Sequence, residues 1–500
     1  MESRETLSLD RLPFDCIVTL CEYFSAEDLA RFGRVCTVFH EATQVGYLWR
    51  RLSLSRWAFC DVHQISEGAQ RWRRYFTARR GLEAKMDTGK PLRDYRVRTL
   101  RGHEKDIVSV AVLRETGGGD INWENPSHPL VVSLSGDGSV KAWDVTQGKA
   151  VWTLDNELIS CLAVSETRSE VALGLSDGSV QIWGAREWNL RATVSSSTGI
   201  SKLMYGSIKN SSTIPSVFLL AQTVDGEVEM WDCDDVVSST ESKKQVSEPV
   251  KPVLQLQSVA TTGGWSLSPA GLLSLESELE EIQVFDLSKV SPITASPSPD
   301  PPHVTLHTSE PPGSSCWVEP RCLATASISS PDISLWDVGT HLDSRTQSRR
   351  SALYDQRNIY TPSRTFSNEA PPLCMGAAND LFITGDGEGC IRVLDPKSGK
   401  LLQTFSDHKG RVTDLYVDRF RVLSCSVDFS IRVYRWVKTA GVRPGGTTAQ
   451  LESRYTLLGG SVALRQHDGF NRLVCSASSC VGVAGNQLKF YTFTANLKEK

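Results

Sequence analysis

Long apolar runs, paired cysteines and a dominant charge are all missing from this chain of 500 residues. No window holds 18 uncharged apolar residues, so the sequence predicts no membrane-spanning helix. Charged residues already occupy several of the first 15 positions, which leaves no apolar stretch typical of a secretory signal. We therefore expect a protein of the cytoplasm, the nucleus or both.

The charges nearly balance: 54 lysines and arginines oppose 58 aspartates and glutamates, for a formal net charge of −4. Such a chain has no global attraction to nucleic acid or to an anionic membrane, so neither is expected as a partner. A hydrophobic content of 40% with 22% charged residues allows a large core and excludes disorder as the main state.

The 13 cysteines are scattered singly, and none forms a CxxC pair. Cys161 and Cys425 stand inside apolar runs, where a reduced cysteine acts as a small hydrophobic residue. Cys475 and Cys480 lie downstream of His467, but a zinc site needs four ligands at tighter spacing. The sequence therefore predicts no metal site.

Two common catalytic motifs are also absent: HExxH and the phosphate-binding GxxxxGK followed by Ser or Thr do not occur. The pattern GxSxG occurs once, at 174–178, inside one of the short β-branched runs. The glycine-rich run at 385–389 does not open a helix, so it is predicted to be a turn rather than a phosphate cradle. Asp144 and Asp337 recur at strand ends, as expected of a scaffold and not of an acid–base pair. We predict a non-catalytic protein without a cofactor.

Two parts of the chain follow different patterns. Residues 8–80 carry apolar residues at helical spacing, whereas residues 98–496 carry short β-branched runs closed by turn residues. The sequence predicts an α+β multidomain protein with a small all-α three-helix unit (6–55), a helical linker (56–95) and an all-β domain (96–496). Segments of the β domain near 233–252, 289–314, 339–370 and 438–452 have the composition of mobile insertions.

Three short helices are predicted in the helical unit. Ser25, with Asp28 three residues later, predicts the capped start of the second helix. The inward face of this helix would run from Leu29 to Phe39, and an apolar cluster at 47–52 would close the unit. So small a unit leaves surplus apolar surface that needs a partner.

A basic and aromatic segment at 69–85 follows the unit. Arginines interleaved with aromatic residues are typical of nucleic-acid binding, but they also fit a connecting helix whose aromatic rings pack inward. The connecting helix is favoured, because the rest of the chain supplies no second basic element.

From residue 98 onward one unit of short strands recurs. Corresponding strand-end positions are 143, 183, 231, 285, 336, 394, 434 and 491, which stand 40 to 58 residues apart. A base period near 40 predicts the four-stranded blades of a propeller. Eight blades are favoured, and seven remain possible if one irregular unit is an insertion. Residues 97–100 precede the first full unit and are predicted to close the ring as the outer strand of the last blade.

Polar and aromatic residues recur inside these units, where each buried polar group needs a partner. His103 and His408 each precede a serine and an aspartate that stand four residues apart, and Tyr434 stands in the tryptophan position of the second set. Both histidines are therefore predicted to be structural. The predicted blade residues are His103, Ser133, Asp137, Trp143, Asp177, Trp183, Trp231, Trp336, His408, Ser424 and Asp428.

The repeats resemble those of the WD-repeat family, and the N-terminal unit resembles the F-box motif, beginning with Leu12 and Pro13. In F-box/WD-repeat proteins the F-box docks on a Skp-type adaptor that bridges to a cullin–RING ubiquitin ligase. The propeller holds the target protein. By this resemblance, the adaptor-binding residues are Leu12, Pro13, Ile17, Leu20, Leu29, Val35, Phe39 and Trp49.

The resemblance implies a non-catalytic, substrate-recognition subunit of a Skp–cullin–F-box ubiquitin ligase. The alternative is a WD-repeat scaffold for protein–protein interaction without ligase coupling. The two hypotheses differ in whether the apolar side chains of residues 12–52 are exposed on one face or buried inside the unit.

Some family members bind phosphorylated degrons through several arginines on one propeller face. None of the positions that align with those arginines is an arginine here, so no multi-arginine pocket is predicted. These positions are Val108, Gly136, Ser160, Ser176, Val224, Thr413 and Val427. Arg411 and Arg421 are expected near the rim, as solvated charges or as contacts for an acidic segment.

Overall fold

The structure is a computed structural model of the chain. It describes residue 9 and residues 12–57, 69–113, 130–165, 167–208, 217–236, 252–257, 264–277, 280–289, 303–340, 342, 361–440, 447–458, 469–476 and 478–493. The segments predicted as insertions lie partly outside the described residues. Where they are described, residues 303–307, 312–314, 364–367, 438–440 and 447–452 form strands, so the bounds predicted for three of the insertions are too wide.

Five helices form the N-terminal part of the described chain: α1 (Phe14–Cys21), α2 (Ala26–Phe32), α3 (Thr37–Thr43), α4 (Gly46–Trp57) and α5 (Ala69–Thr88). The predicted helix start at Ser25 is confirmed, since its hydroxyl accepts a hydrogen bond from the Asp28 N–H and the Asp28 carboxylate accepts one from the Ser25 N–H. The small all-α unit is thus present, with short helices as predicted.

The single second helix predicted through Phe39 is wrong, because the chain turns between α2 and α3. Gly33 lies at this turn, and a β-carbon there would stand 2.6 Å from the Thr43 hydroxyl of α3. The missing side chain lets α3 fold back on α2, and the rings of Phe32 and Phe39 stack with centroids 4.1 Å apart. Two short helices therefore bury apolar side chains that one long helix would leave exposed.

The β domain is a propeller of eight four-stranded antiparallel sheets in the described part of the chain. Blade 1 contains β2 (Ile107–Leu113), β3 (Leu130–Ser135), β4 (Ser139–Asp144) and β5 (Lys149–Asp155). Blade 2 contains β6 (Ile159–Ser165), β7 (Glu170–Leu175), β8 (Ser179–Gly184) and β9 (Asn189–Ser195). Blade 3 contains β10 (Ile200–Gly206), β11 (Phe218–Thr223), β12 (Glu227–Asp232) and β13 (Leu254–Gln257). Blade 4 contains β14 (Trp265–Leu267), β15 (Leu272–Glu276), β16 (Glu281–Asp286) and β17 (His303–His307).

The second half of the ring follows the same pattern. Blade 5 contains β18 (Pro312–Glu319), β19 (Cys322–Ser327), β20 (Asp332–Asp337) and β21 (Arg364–Ser367). Blade 6 contains β22 (Pro372–Ala378), β23 (Leu381–Asp386), β24 (Ile391–Leu394) and β25 (Leu401–Phe405). Blade 7 contains β26 (Val412–Val417), β27 (Arg421–Ser426), β28 (Ser430–Ala440) and β29 (Thr447–Leu458). Blade 8 contains β30 (Arg472–Cys475), β31 (Ser479–Ala484) and β32 (Gln487–Thr492), with β1 (Arg96–Leu100) as its outer strand.

Each predicted strand-end position lies in the third strand of a different blade, so the preferred count of eight is confirmed and seven is excluded. Ring closure also follows the prediction: β1 pairs antiparallel with β32, with Val97 opposite Tyr491 and Leu100 opposite Leu488. The first strand of the domain therefore completes its last blade and leaves no open sheet edge there.

The long helix α5 links the helical unit to the propeller. Trp72, Tyr75 and Phe76 are buried in the core of the helical unit, so the inward-packing interpretation of the basic segment is confirmed. Farther along the helix, Leu82 joins the core between blades 7 and 8. One helix thus contributes apolar side chains to both domains.

Candidate functional site

The predicted adaptor-binding residues fall into two groups. Ile17, Leu29, Phe39 and Trp49 are buried in the core of the helical unit, at 1–6% exposure. Their burial follows from α5, whose aromatic side chains cover the small unit and complete its core. A partner that leaves this core intact cannot use these four side chains as contact surface.

Leu12, Pro13, Leu20 and Val35 are the predicted residues that lie at the surface. Leu20 is 41% exposed at the end of α1, and Val35 is 68% exposed in the turn between α2 and α3. The structure therefore leaves only part of the predicted set available for direct contact with a partner.

The structure also exposes apolar side chains outside the predicted adaptor-binding set, along and next to α1. Phe14 begins the helix, and Tyr23 follows its end with 84% exposure. Tyr47 joins them from α4, and its hydroxyl donates a hydrogen bond to the Glu22 carboxylate at 2.5 Å. We call Leu12, Phe14, Leu20, Tyr23 and Tyr47 the α1 patch. Helical spacing alone could not show that α5 leaves this side of the unit uncovered.

The helical unit is fixed to the propeller at blade 7, through the turn between β26 and β27. Phe420 of this turn packs against the core of the helical unit, and the Arg56 guanidinium lies over its ring, 5.9 Å from the centroid. Arg435 of β28 forms an ion pair with Asp87 of α5. These contacts hold the α1 patch in a fixed relation to the propeller.

Arg421 is buried at this junction, so its predicted place at a solvated rim is wrong. Its guanidinium donates to the Ser476 carbonyl at 2.7 Å and to the Asp418 carboxylate at 3.3 Å, and it lies against the sulfur of Met86. The sequence could not show this, because Ser476 and Met86 come from distant parts of the chain. Arg411 is exposed.

The blade 1 residues form the hydrogen-bonded chain that their spacing suggested. Nε2 of His103 is 2.7 Å from the Ser133 hydroxyl, which accepts a hydrogen bond from the Trp143 indole at 2.8 Å. Nδ1 of His103 is 2.8 Å from the hydroxyl of Ser139, a residue that the sequence analysis missed. The Asp137 carboxylate in turn accepts hydrogen bonds from Ser139 and from the Glu104 N–H.

Blade 7 repeats the histidine, serine and aspartate part of this arrangement. Nε2 of His408 is 2.7 Å from the Ser424 hydroxyl, and Nδ1 is 3.0 Å from Ser430 and 3.2 Å from the Asp428 carboxylate. Tyr434 is fully buried in the tryptophan position. In both histidines each ring nitrogen lies within hydrogen-bond distance of a blade residue, so neither ring is available for catalysis.

The remaining predicted blade residues lack a histidine partner. Asp177 accepts a hydrogen bond from the Ser179 hydroxyl at 2.6 Å, and the Trp183 indole donates to Gln181 at 3.2 Å. Trp336 donates to the Thr325 hydroxyl at 2.9 Å, and Trp231 is fully buried. These residues pack the blades in place of the longer hydrogen-bonded chain.

The charge states of the blade 1 residues follow from their surroundings. Burial lowers the pKa of His103 from its ordinary value of 6.5, and the nearby Asp137 carboxylate offsets only part of this effect. Burial alone would raise the pKa of Asp137, but the hydrogen bonds from Ser139 and the Glu104 N–H hold it well below its usual value. The folded state therefore holds a neutral imidazole beside an ionised carboxylate.

The neutral state of His103 predicts that the propeller loses stability as the pH falls. Because the histidine takes up protons near 6.5 when unfolded but only at lower pH when folded, its contribution is complete above that value. Below it the contribution is lost, by at most about 1.4 kcal/mol per pH unit. We expect the thermal midpoint to fall between pH 7.5 and 5.5, and to fall less in His103→Gln. Equal slopes in the two proteins would contradict this assignment.

The two ends of the propeller differ in the loops that they carry. The upper end carries the loops that join successive blades and the turns between second and third strands, whereas the helical unit contacts the lower end. At the upper end, Ser160 and Thr413 donate hydrogen bonds to the carbonyls of Ile200 and Phe470, and so tie neighbouring blades together. The hydroxyls of these two residues are therefore used in contacts between blades.

Two negative findings concern the described residues alone. No group of three or more His, Cys, Asp or Glu side chains among them is placed to hold a metal ion. None of the helices in the described ranges is long and apolar enough to cross a membrane.

Comparison with known proteins supports the two-part organisation. The F-box-like family model matches residues 9–55, and the WD domain, G-beta repeat model matches residues 95–144 and 399–435. The chain therefore combines an N-terminal unit similar to the F-box-like family with an eight-bladed propeller that carries two matches to the WD repeat.

Curated relatives match only part of the chain. F-box/WD repeat-containing protein 12 of Homo sapiens is 24% identical over 144 residues, which span 29% of this chain and 30% of the relative. Small ribosomal subunit protein RACK1y of Oryza sativa subsp. japonica is 26% identical over 149 residues, 29% of this chain and 42% of that protein. The matched region therefore spans less than half of either relative.

A solved structure shows the same fold over a longer range. Sqt1 from Chaetomium thermophilum aligns with a TM-score of 0.54 at 14% identity, and the alignment covers 80% of this chain and 98% of that one. At this identity the similarity shows the propeller fold alone.

Proposed function

We propose that this protein is a substrate-recognition subunit of a Skp–cullin–F-box ubiquitin ligase, without catalytic residues of its own. The F-box-like unit docks on a Skp-type adaptor, and the propeller binds the target protein in the cytoplasm, the nucleus or both. The α1 patch carries this proposal, because it is a cluster of exposed apolar side chains on the unit that matches the F-box-like family.

The position of the α1 patch fits such a bridging role. The core of the helical unit is completed by α5 without using the patch, so the patch remains available while the unit is docked on the propeller. The unit contacts the lower end of blade 7, and in the described part of the chain it does not touch the upper end. One partner can therefore bind the helices while another binds the propeller.

The proposal predicts that charges placed in the α1 patch abolish adaptor binding. Leu20→Asp with Tyr23→Asp removes two apolar contacts and buries two carboxylates, so the affinity for a Skp-type adaptor should fall at least about a hundredfold. The full chain, co-expressed with the adaptor, should co-elute with it in size exclusion, and the double variant should elute alone.

The matched control is Val151→Asp with Leu190→Asp, which adds the same charges at exposed apolar positions of the outer strands β5 and β9. This control should co-elute like the original protein, and all three proteins should have the same thermal midpoint. If the original chain stays monodisperse but never co-elutes with the adaptor, the scaffold alternative replaces the ligase proposal.

A further inference from the structure

The upper end of the propeller exposes large aliphatic side chains. Val108 is the second residue of β2 and is 47% exposed, Leu158 precedes blade 2, and Val224 lies in the turn between β11 and β12. All three lie on the end of the propeller that the helical unit does not touch. Aliphatic residues at the tips of turns contribute nothing to the blade cores, so their exposure needs another explanation.

These three side chains belong to one continuous strip across blades 1 to 3. The Gly136 N–H donates to the Asp106 carbonyl at 2.9 Å, and the Ser176 N–H donates to the Leu158 carbonyl at 2.8 Å. The Val224 N–H continues the series by donating to the Gly199 carbonyl at 2.8 Å. Each of these bonds ties a blade to the loop that enters it. Two further bonds join consecutive blades: the Asn156 N–H before blade 2 donates to the Gly138 carbonyl of blade 1 at 3.1 Å, and the Ser196 N–H before blade 3 donates to the Gly178 carbonyl of blade 2 at 2.9 Å.

The same strip is strongly acidic. We call residues 104–108, 157–158, 177 and 224–225 the acidic arc. Its exposed carboxylates are those of Glu104, Asp106, Glu157, Asp177 and Asp225, and its one exposed cation is Lys105. Among the described residues, none of these five carboxylates forms an ion pair with a basic side chain.

The charges of the arc are held in place by the turns. Asp177 accepts hydrogen bonds from both the N–H and the hydroxyl of Ser179, and these bonds lower the pKa of its carboxylate. Asp106 and Glu157 adjoin the tight turn at 136–138, where a β-carbon on Gly138 would stand 2.8 Å from the backbone of Glu157. The arc therefore presents fixed anions at the edges of an apolar strip.

We infer that the acidic arc is the docking surface for a basic peptide segment that also carries aliphatic side chains. Arginine or lysine residues of the segment would pair with the carboxylates, while its aliphatic side chains cover Val108, Leu158 and Val224. A phosphorylated segment or an RNA would be repelled by the same carboxylates. Exposed cations on this end include Lys409 and Arg411, which lie on the loop before blade 7, away from the arc.

This inference rests on the proposed function, because it names the class of target that the propeller would present to the ligase. A basic target also explains why this chain has no arginine at the positions where some F-box/WD-repeat proteins bind phosphorylated degrons. The target would be recognised by sequence charge and aliphatic content, with no need for prior phosphorylation.

The test uses the full chain and a synthetic fluorescein-labelled peptide composed of arginine, leucine, glycine and serine. Matched peptides replace each arginine with glutamate or with phosphoserine. Fluorescence anisotropy should show saturable binding of the basic peptide alone, with an affinity that falls as salt is raised. Tighter binding of either acidic peptide would overturn the inference.

Charge reversal then locates the site. Glu157→Lys with Asp225→Lys should weaken the basic peptide by about tenfold or more, since each exposed interfacial ion pair contributes modestly. The control is Glu187→Lys with Glu319→Lys, which makes the same change of net charge at exposed positions of the lower end. Equal weakening by both pairs would show only a general charge effect and would overturn the inference.

The aliphatic part of the surface has its own variant. Val108→Ser with Val224→Ser should weaken peptide binding severalfold without changing its salt dependence, whereas Val151→Ser with Leu190→Ser on the outer strands should not. All variants should still co-elute with the Skp-type adaptor, because the α1 patch is untouched. If the original chain binds the peptide but not the adaptor, the ligase proposal alone is overturned. If it binds the adaptor but not the peptide, the acidic arc alone is overturned as a docking surface.

Discussion

Trp143→Ala is expected to lower the stability of the propeller by about 3–5 kcal/mol. The indole is 1% exposed between blades 8 and 1, where it packs with Leu100, Ile107 and Val481. Its removal leaves a cavity and takes away the N–H that bonds to the Ser133 hydroxyl. Two costs therefore add at one site, the cavity and the broken chain of buried hydrogen bonds.

Blade 7 supplies the matched control for this variant. Because Tyr434 fills the tryptophan position beside the same histidine and serine arrangement, Trp143→Tyr should lose less than half as much stability as Trp143→Ala. The loss of stability in both variants is measured by the thermal midpoint and by the midpoint of the first unfolding transition in urea. A loss below about 1 kcal/mol in Trp143→Ala would mean that blade 1 does not depend on the buried chain.

Arg421→Ala is expected to destabilise the junction between the propeller and α5 by about 3–5 kcal/mol. The side chain is 7% exposed, and its loss leaves the Asp418 carboxylate without its ion-pair partner and the Ser476 carbonyl without this donor. Met86 of α5 would lose a packing partner at the same time. We expect faster hydrogen exchange in residues 82–88 together with a lower thermal midpoint.

Two further variants separate the buried charge from general effects. Arg411→Ala removes an exposed arginine from the same blade and should change stability by less than about 0.5 kcal/mol. Arg421→Met with Asp418→Asn removes both charges and should recover part of the loss, because no unpaired charge stays buried. If Arg421→Ala behaves like Arg411→Ala, the arginine contributes nothing to the junction.

The propeller could be predicted from sequence because its signals are local. The Asp137-Gly138 turn requires a positive φ, which Gly138 has at 80°, and the strands on each side of it are only six residues long. Gly178, Gly226 and Gly389 repeat this turn in blades 2, 3 and 6. In the irregular units the third strands were placed from their own short apolar runs. Ring closure followed because residues 97–100 had no other strand to join.

The surfaces could not be predicted in the same way, because exposure depends on contacts between distant segments. Leu29 and Val35 looked alike in the helical pattern, yet one is buried and the other protrudes from the turn at Gly33. Ser139 was missed because its bond to His103 spans 36 residues, and Arg421 was misplaced because its carbonyl partner lies 55 residues away. The hydrophobic periodicity of a sequence carries no information about such distant pairings.

The pairing of β1 with β32 also constrains how the protein is made. The hydroxyl of Thr99 and the amine of Lys489 meet across this seam, although 390 residues separate them along the chain. During synthesis the helical unit and α5 leave the ribosome first, while β1 waits unpaired until nearly the whole ring has been translated. A nascent chain that stalls before blade 8 therefore exposes two unsatisfied strand edges, which favour aggregation or capture by chaperones.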